Sequence, residues 1–158
     1  EALEKAVPLE KKVGHWPGLA TSYLLLGMHY DERAKHDEGR RDELLGRAEA
    51  MIREAIALNR TLERDEAMAY AYGELAEMAE KRGNLPDVEE TLKEAQALYK
   101  KLGKEKDLAS IYDALGSARS RRGDQAQACD YWRRGATANP EEKRIVNALN
   151  TNKCGTTQ

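Results

Sequence analysis

The sequence predicts an all-α protein, and three observations support this prediction. The 158 residues include only four Pro and no Phe, and Ala, Leu, Glu, Lys and Arg, which favour helices, are abundant. Apolar residues recur three and four positions apart, for example at Leu92, Ala95 and Leu98. Two glycines directly precede residues that can cap a following helix, in the pairs Gly83-Asn84 and Gly123-Asp124.

Eight helices are predicted in chain order. Their approximate ranges are 2–13, 16–37, 41–58, 65–82, 85–101, 105–122, 124–138 and 140–149. Pro8 conflicts with the first helix because an internal Pro removes one backbone hydrogen bond, so this helix is expected to be kinked or to start late. Asp124 and Gln127 have the spacing of a capping box, which predicts a helix start there. Asn139 and Glu142 have the same spacing and predict the start of the last helix.

The chain also repeats itself. When the sequence is shifted by 89 positions, eleven residues coincide with an identical residue without a gap. The coinciding pairs include Tyr23 with Tyr112, Leu26 with Leu115, Gly27 with Gly116 and Gly14 with Gly103. A third copy lies between them, with Tyr72 and Leu75 at the equivalent positions. The repeating unit is therefore predicted to be a helical hairpin.

Residues 109–140 resemble a tetratricopeptide repeat. The residues that match the family pattern are Tyr112, Leu115, Gly116, Ala128, Trp132 and Pro140. The small Gly116 and Ala128 would let two helices approach closely, and Trp132 would fill the space beside them. Equivalent positions are 49 and then 40 residues apart, so the chain resembles the longer-period variety of the family. The resemblance implies an α-α superhelix, a solenoid of antiparallel helix hairpins with a concave surface.

The same resemblance suggests how the chain is organised. Residues 1–149 would form one repeat array, with a half repeat at 1–14, full repeats at about 19–60, 67–102 and 107–140, and a capping helix at 140–149. Ile145, Val146 and Leu149 are expected to face inward in that cap. Residues 150–158 are expected to be a disordered tail.

The sequence offers few residues for catalysis, so we expect no enzyme activity, no cofactor and no metal site. His29, Glu32 and His36 share a helix face but span two turns, which favours a solvated surface over a metal site. Cys129 is interpreted as a small half-buried apolar residue, and Cys154 lies in the tail. Two cysteines are too few for a disulfide framework, so a reducing compartment, such as the cytoplasm, is mildly favoured.

Charge excludes some classes of partner. The 26 Lys and Arg residues against 28 Asp and Glu residues leave a net charge of -2, which argues against a uniformly basic nucleic-acid-binding protein. No apolar stretch approaches the roughly 20 residues that span a bilayer, so no membrane insertion is expected. Residues 119–158 carry a net charge of +4 and residues 1–118 one of -6. This polarity is compatible with head-to-tail self-association. It is equally compatible with a distribution of charges that only lowers repulsion within the chain.

If the family's register holds, the resemblance also identifies residues on the concave surface. They are Leu24, Met28, Asp31, Tyr70, Glu74, Glu77, Glu80, Asp113 and Arg121. Acids outnumber bases in this set, so the expected ligand is a protein or peptide that is basic and partly apolar. The preferred interpretation is a non-catalytic protein–protein interaction module with an acidic groove.

Three alternatives to this interpretation stay open. The acidic residues of the groove could be ordinary solvated side chains without a ligand. The chain could instead be a self-assembling, homo-oligomeric or structural segment of a larger protein. The resemblance to longer-period arrays further implies a possible regulatory or sensory arm of a multidomain signalling protein.

Overall fold

A computed structural model of the chain describes residues 2–82 and 85–155. Within these ranges, the side chains of residues 79, 80, 85–88 and 92 lie outside the description. The predicted turn at Gly83-Asn84 and the side chains of Glu80 and Leu92 therefore fall outside the described residues.

Every regular element in the described residues is a helix, which confirms the all-α prediction. The α-helices are Ala2–Val13 (α1), Trp16–His36 (α2), Arg41–Thr61 (α3), Asp65–Arg82 (α4), Leu85–Lys101 (α5), Leu108–Arg121 (α6), Gln125–Ala138 (α7) and Lys143–Thr151 (α8). Short 3-10 helices at Glu38–Arg40 and Glu105–Asp107 lead into α3 and α6. None of the described helices combines the length and apolar character needed to cross a bilayer.

The helix ends show which capping predictions were correct. Asp124 caps α7 as predicted, because its carboxylate accepts a hydrogen bond from the backbone N–H of Gln127 at 3.3 Å. Helix α8 begins later than predicted because its N-cap is Glu142, whose carboxylate accepts from the N–H of Arg144 at 3.4 Å. Helix α1 begins well before Pro8 and includes it, so the expectation of a late start is wrong.

The chain divides into two compact units, residues 1–78 and residues 79–158. In the first unit, α2 and α3 pack against each other, and α1 packs on α2. Their core includes Leu19, Tyr23 and Ala55. Gly27 of α2 lies directly against α3, where a Cβ atom on Gly27 would be 2.6 Å from Cγ1 of Ile52. Together these contacts pair the start of α2 with the end of α3, so the two helices form an antiparallel hairpin.

In the second unit, α6 packs against α5 and α7, and α8 packs on α6 and α7. The core cluster contains Trp132, which is 2% exposed, and Ile145, which is fully buried, together with Ala109 and Ala128. Helix α8 therefore closes this core through Ile145, as predicted. Val146 is 39% exposed, so its predicted inward position is wrong.

The C-terminal segment is attached to this core. Leu149 and Cys154 are partly buried against the cluster. Cys154 forms a disulfide bond with Cys129 of α7, and their Cα atoms are 5.3 Å apart. The guanidinium of Arg133 donates a hydrogen bond to the carbonyl of Gly155 at 2.9 Å. The interpretation of two separate cysteines is therefore wrong, and residues 150–155 are held in place where a disordered tail was expected.

One backbone turn recurs in both units. Gly14 and Gly103 have positive φ angles of 69° and 65°, a conformation that glycine adopts without a steric penalty. In each turn, the N–H of the residue after the glycine donates to the carbonyl five positions before it, at 3.0 Å after Gly14 and 2.9 Å after Gly103. These two glycines coincide under the 89-residue shift. The same hydrogen-bonded turn also follows α3, α6 and α8, at Glu63, Gly123 and Lys153, so it is a general way in which helices of this chain end.

Candidate functional site

One face of α4 carries Tyr70, Glu74 and Glu77. Their spacing of four and three residues puts the side chains on the same side of the helix. Tyr70 is 48% exposed. Partial loss of hydration raises the pKa of its hydroxyl, and the nearby negative charges of Glu74 and Glu77 raise it further. The three side chains are therefore neighbours at the surface of the first unit.

The predicted groove residues of α2 are more covered. Leu24 packs against the core cluster of the first unit, and Met28 is half-buried. Asp31 is only 9% exposed, and its Oδ2 atom is 4.0 Å from Nζ of Lys35. Beside them, Glu32 and Lys35 are exposed.

Lys35 connects the charges of α2 with those of α4. Its ammonium group donates a hydrogen bond to Oε2 of Glu32 at 2.5 Å. That hydrogen bond is the main cause of the raised pKa of Lys35, and the negative charges of Asp31 and Glu77 add to it. Carboxylates from α2 and from α4 therefore surround the same region of the first unit. We call this set the acidic surface, and it consists of Asp31, Glu32, Tyr70, Glu74 and Glu77.

His29, Glu32 and His36 share a helix face and were weighed above as metal ligands, with a solvated surface preferred. In the structure, Glu32 binds Lys35, and its Oε1 atom is 3.3 Å from Nε2 of His36. These contacts lower the pKa of Glu32, mainly through Lys35 and then through His36. Within the described part of the chain, no group of three or more His, Cys, Asp or Glu side chains is arranged to hold a metal ion.

Asp113 and Arg121 are the predicted groove residues of the second unit, and they line one pocket between α6 and α8. Its volume is about 570 Å³. We call it the α6–α8 pocket, and its polar lining includes Asp113, Ser117, Arg121, Arg144, Asn147 and Thr151. The structure therefore brings Asp113 and Arg121 together in one pocket.

The charge of Asp113 is offset inside this pocket. Its Oδ1 atom accepts a hydrogen bond from the indole Nε1–H of Trp132 at 3.2 Å. Its Oδ2 atom is 3.6 Å from Nε of Arg144. Asp113 is thus a partnered pocket residue, whereas the sequence analysis counted it among the acids that attract a basic ligand.

Sequence reasoning missed the contribution of α8 to this pocket. Arg144, Asn147 and Thr151 lie three and four residues apart, so they share one polar face of the helix. That spacing is visible in the sequence. It was not recognised because α8 was considered only as a cap for the apolar core.

Comparison with known proteins adds no family assignment. No protein-family model matches the chain. A search of curated proteins also finds no similar sequence. The acidic surface and the α6–α8 pocket are therefore interpreted from their own geometry and chemistry.

Proposed function

We propose that the chain is a tetratricopeptide-type, non-catalytic interaction module whose acidic surface binds a basic and partly apolar segment of a protein partner. The observation that carries this proposal is the position of Lys35, whose Nζ lies 4.0 Å from Oδ2 of Asp31 and whose pKa is also raised by the negative charge of Glu77 on α4. It means that the carboxylates of α2 and α4 act on the same region. The antiparallel hairpin of α2 and α3 and the internal repetition of the sequence support the repeat interpretation.

The acidic surface has the chemistry that a cationic, amphipathic segment requires. The carboxylates of Asp31, Glu32, Glu74 and Glu77 make this surface acidic, and acidic side chains attract Lys and Arg side chains of a ligand. The exposed ring of Tyr70 offers apolar contact and a π-face for a cation. Because the carboxylates of Glu32 and Glu77 are exposed, added salt should weaken binding.

Charge reversal at Glu74 and Glu77 tests this proposal. The probe is a fluorescent amphipathic 15-residue peptide of Lys and Leu, and anisotropy measures its Kd. We expect E74K/E77K to raise the Kd by about tenfold, because attraction is replaced by repulsion at two positions. An analogue of the peptide with Gln in place of Lys should bind weakly to both proteins.

A matched variant distinguishes the effect of the acidic surface on binding from the effect of the protein's net charge. E38K/E54K makes the same charge change at exposed residues on other elements, Glu38 in the first 3-10 helix and Glu54 in α3. We expect this variant to keep the Kd of the unmodified protein. Equal weakening by both variants would contradict a specific role of the acidic surface and leave only long-range attraction.

A second candidate function, self-assembly, is favoured by one observation on α1. Leu9 and Val13 are 62% and 74% exposed. Under the 89-residue shift they correspond to Leu98 and Leu102, which are only half-exposed. The apolar face of α1 is thus more open than its counterpart in the second unit, and another helix of the same kind could cover it.

Light scattering over a dilution series tests self-assembly. If α1 mediates it, the mass should rise with concentration and persist in high salt, because apolar contacts are not screened. The L9D/V13D variant should stay monomeric. A monomer at high concentration in the unmodified protein would exclude this function. Oligomers that dissociate when salt is added would indicate that association depends on the opposite net charges of residues 1–118 and 119–158.

A further inference from the structure

We infer that the disulfide between Cys129 and Cys154 is a redox switch that controls the attachment of α8. Its reduction by a dithiol lets α8 open away from α6 and α7, while α6 and α7 stay packed together. Reoxidation attaches α8 again. The inference concerns the second unit alone, so it holds or fails independently of the function proposed above.

The two sulfur atoms have different surroundings. Cys129 is 7% exposed on α7, whereas Cys154 is half-buried and lies between two exposed neighbours. The side-chain amide of Gln125 donates a hydrogen bond to Sγ of Cys129 at 3.9 Å, and such a donor stabilises negative charge on that sulfur. A thiolate in solution is therefore expected to attack Sγ of Cys154, with Cys129 as the leaving group.

The reduction consumes one dithiol and transfers two electrons. A thiolate of the dithiol bonds to Sγ of Cys154, the bond between the two cysteine sulfurs breaks, and Cys129 leaves as a thiolate that takes up a proton. The second thiol of the reductant loses its proton and attacks its partner sulfur, so that Cys154 leaves as a thiolate and is protonated. The reductant departs as a cyclic disulfide. In the reverse direction, glutathione disulfide takes up the two electrons and departs as two thiols.

Few contacts other than this bond hold α8 in place. The helix has nine residues, which is too short for an isolated helix to be stable in water, and Ile145 is its only buried residue. The guanidinium of Arg144 is 3.6 Å from the carboxylate of Asp113, but the Arg144 side chain is 64% exposed, so this ion pair contributes little. While the disulfide is intact, a detached α8 is tied to α7 at both ends. Reduction removes this restriction and favours the open state.

Opening of α8 uncovers an apolar surface on α6 and α7. Ile145 packs with Ala109, Ala128 and Trp132 in one core cluster. A Cβ atom on Gly135 would be 2.5 Å from Cδ1 of Ile145, so Ile145 fills the space that this glycine leaves on α7. The switch therefore exposes a surface that has just held an amphipathic helix.

Helices α6 and α7 have contacts of their own. A Cβ atom on Gly116 of α6 would be 2.6 Å from Cδ1 of Trp132 on α7, so the two helices approach closely there. The indole N–H of Trp132 also donates a hydrogen bond to Asp113 of α6 at 3.2 Å. Neither contact depends on α8, so the opening is a local one.

Hydrogen exchange of the backbone amides, followed by NMR, tests the switch. The oxidised protein is compared with protein reduced by dithiothreitol in native buffer. We expect reduction to accelerate exchange in α8 by at least about tenfold, because the opened segment is no longer closed into a loop. In the reduced protein, the α8 amides should also exchange faster than those of α6 and α7. Reoxidation with glutathione disulfide should restore the slow rates.

Two results would overturn the inference. One is an exchange rate in α8 that reduction does not change. The other is an equal opening free energy for α6, α7 and α8 in the reduced protein, because the disulfide would then stabilise the unit only as a whole. The variant C129S/C154S should exchange like the reduced protein and should not respond to dithiothreitol.

A matched pair of truncations tests how α8 is attached. In the oxidised protein, I145A should accelerate exchange in α8, because it removes the buried side chain that anchors the helix. V146A shortens the adjacent side chain, which is 39% exposed, and should change the rate by less than about twofold. Equal effects of the two variants would overturn the inference, with circular dichroism checking that each variant is folded.

Discussion

Loss of the disulfide between Cys129 and Cys154 is expected to lower the free energy of unfolding by about 3 kcal/mol. The bond joins residues 25 positions apart, so it restricts the unfolded chain over a loop that includes α8. In the folded state it holds Cys154 against the cluster that contains Trp132 and Ile145. Denaturation in urea, with and without a reducing agent, measures the change.

The double variant C129S/C154S provides the control for this prediction. Its unfolding midpoint should be as low as that of the reduced protein, and the reducing agent should not change it further. Equal midpoints for the oxidised protein, the reduced protein and the variant would show that the bond does not contribute to stability.

Replacement of Gly116 by Ala is expected to destabilise the second unit by about 1–3 kcal/mol, because it overpacks a filled core. A Cβ atom at this position would be 2.6 Å from Cδ1 of Trp132. The indole cannot easily withdraw, since it is 2% exposed and its N–H donates to Asp113. Gly116→Leu should cost more than Gly116→Ala. Thermal or urea unfolding gives the difference in each case.

The matched substitution is Gly46→Ala. Gly46 lies inside α3, and a Cβ atom there would have no neighbour within 4 Å. Because Ala favours a helix interior over Gly, this change should stabilise the protein by about 1 kcal/mol. Replacement of Gly by Ala should thus lower the free energy of unfolding at position 116 and raise it at position 46. Stabilisation at Gly116 would show that the contact between α6 and α7 is looser than described.

The helices were predictable because their signals are local. The turn at Gly123 and the cap at Asp124 depend on residues a few positions apart, and the structure has both where the sequence indicated. The sequence predicted that the small Gly116 lets two helices approach closely, and in the structure a Cβ atom there would collide with Trp132 of α7. The start of α8 was not, because Asn139 and Glu142 are both able to cap a helix, and the structure uses Glu142.

The disulfide and the α6–α8 pocket could not be predicted in the same way. Both depend on the packing of α8 against α6 and α7. The spacing of Cys129 and Cys154 in the sequence does not predict that packing. The partnered state of Asp113 has the same origin, because Arg144 reaches it from α8. Of the predicted groove residues, Tyr70 and Glu77 of α4 are exposed and Glu74 is half-buried, whereas Leu24 of α2 is half-buried and Asp31 is 9% exposed.

Helix α1 has no fully buried residue, although it is twelve residues long. Its attachment to the first unit relies on a few side chains, including Val7 at the edge of the core cluster and the carboxylate of Glu4, which accepts a hydrogen bond from Tyr30 at 3.0 Å. Pro8 further deprives it of one backbone hydrogen bond. Within the first unit, we therefore expect α1 to detach in a local opening that leaves the hairpin of α2 and α3 intact.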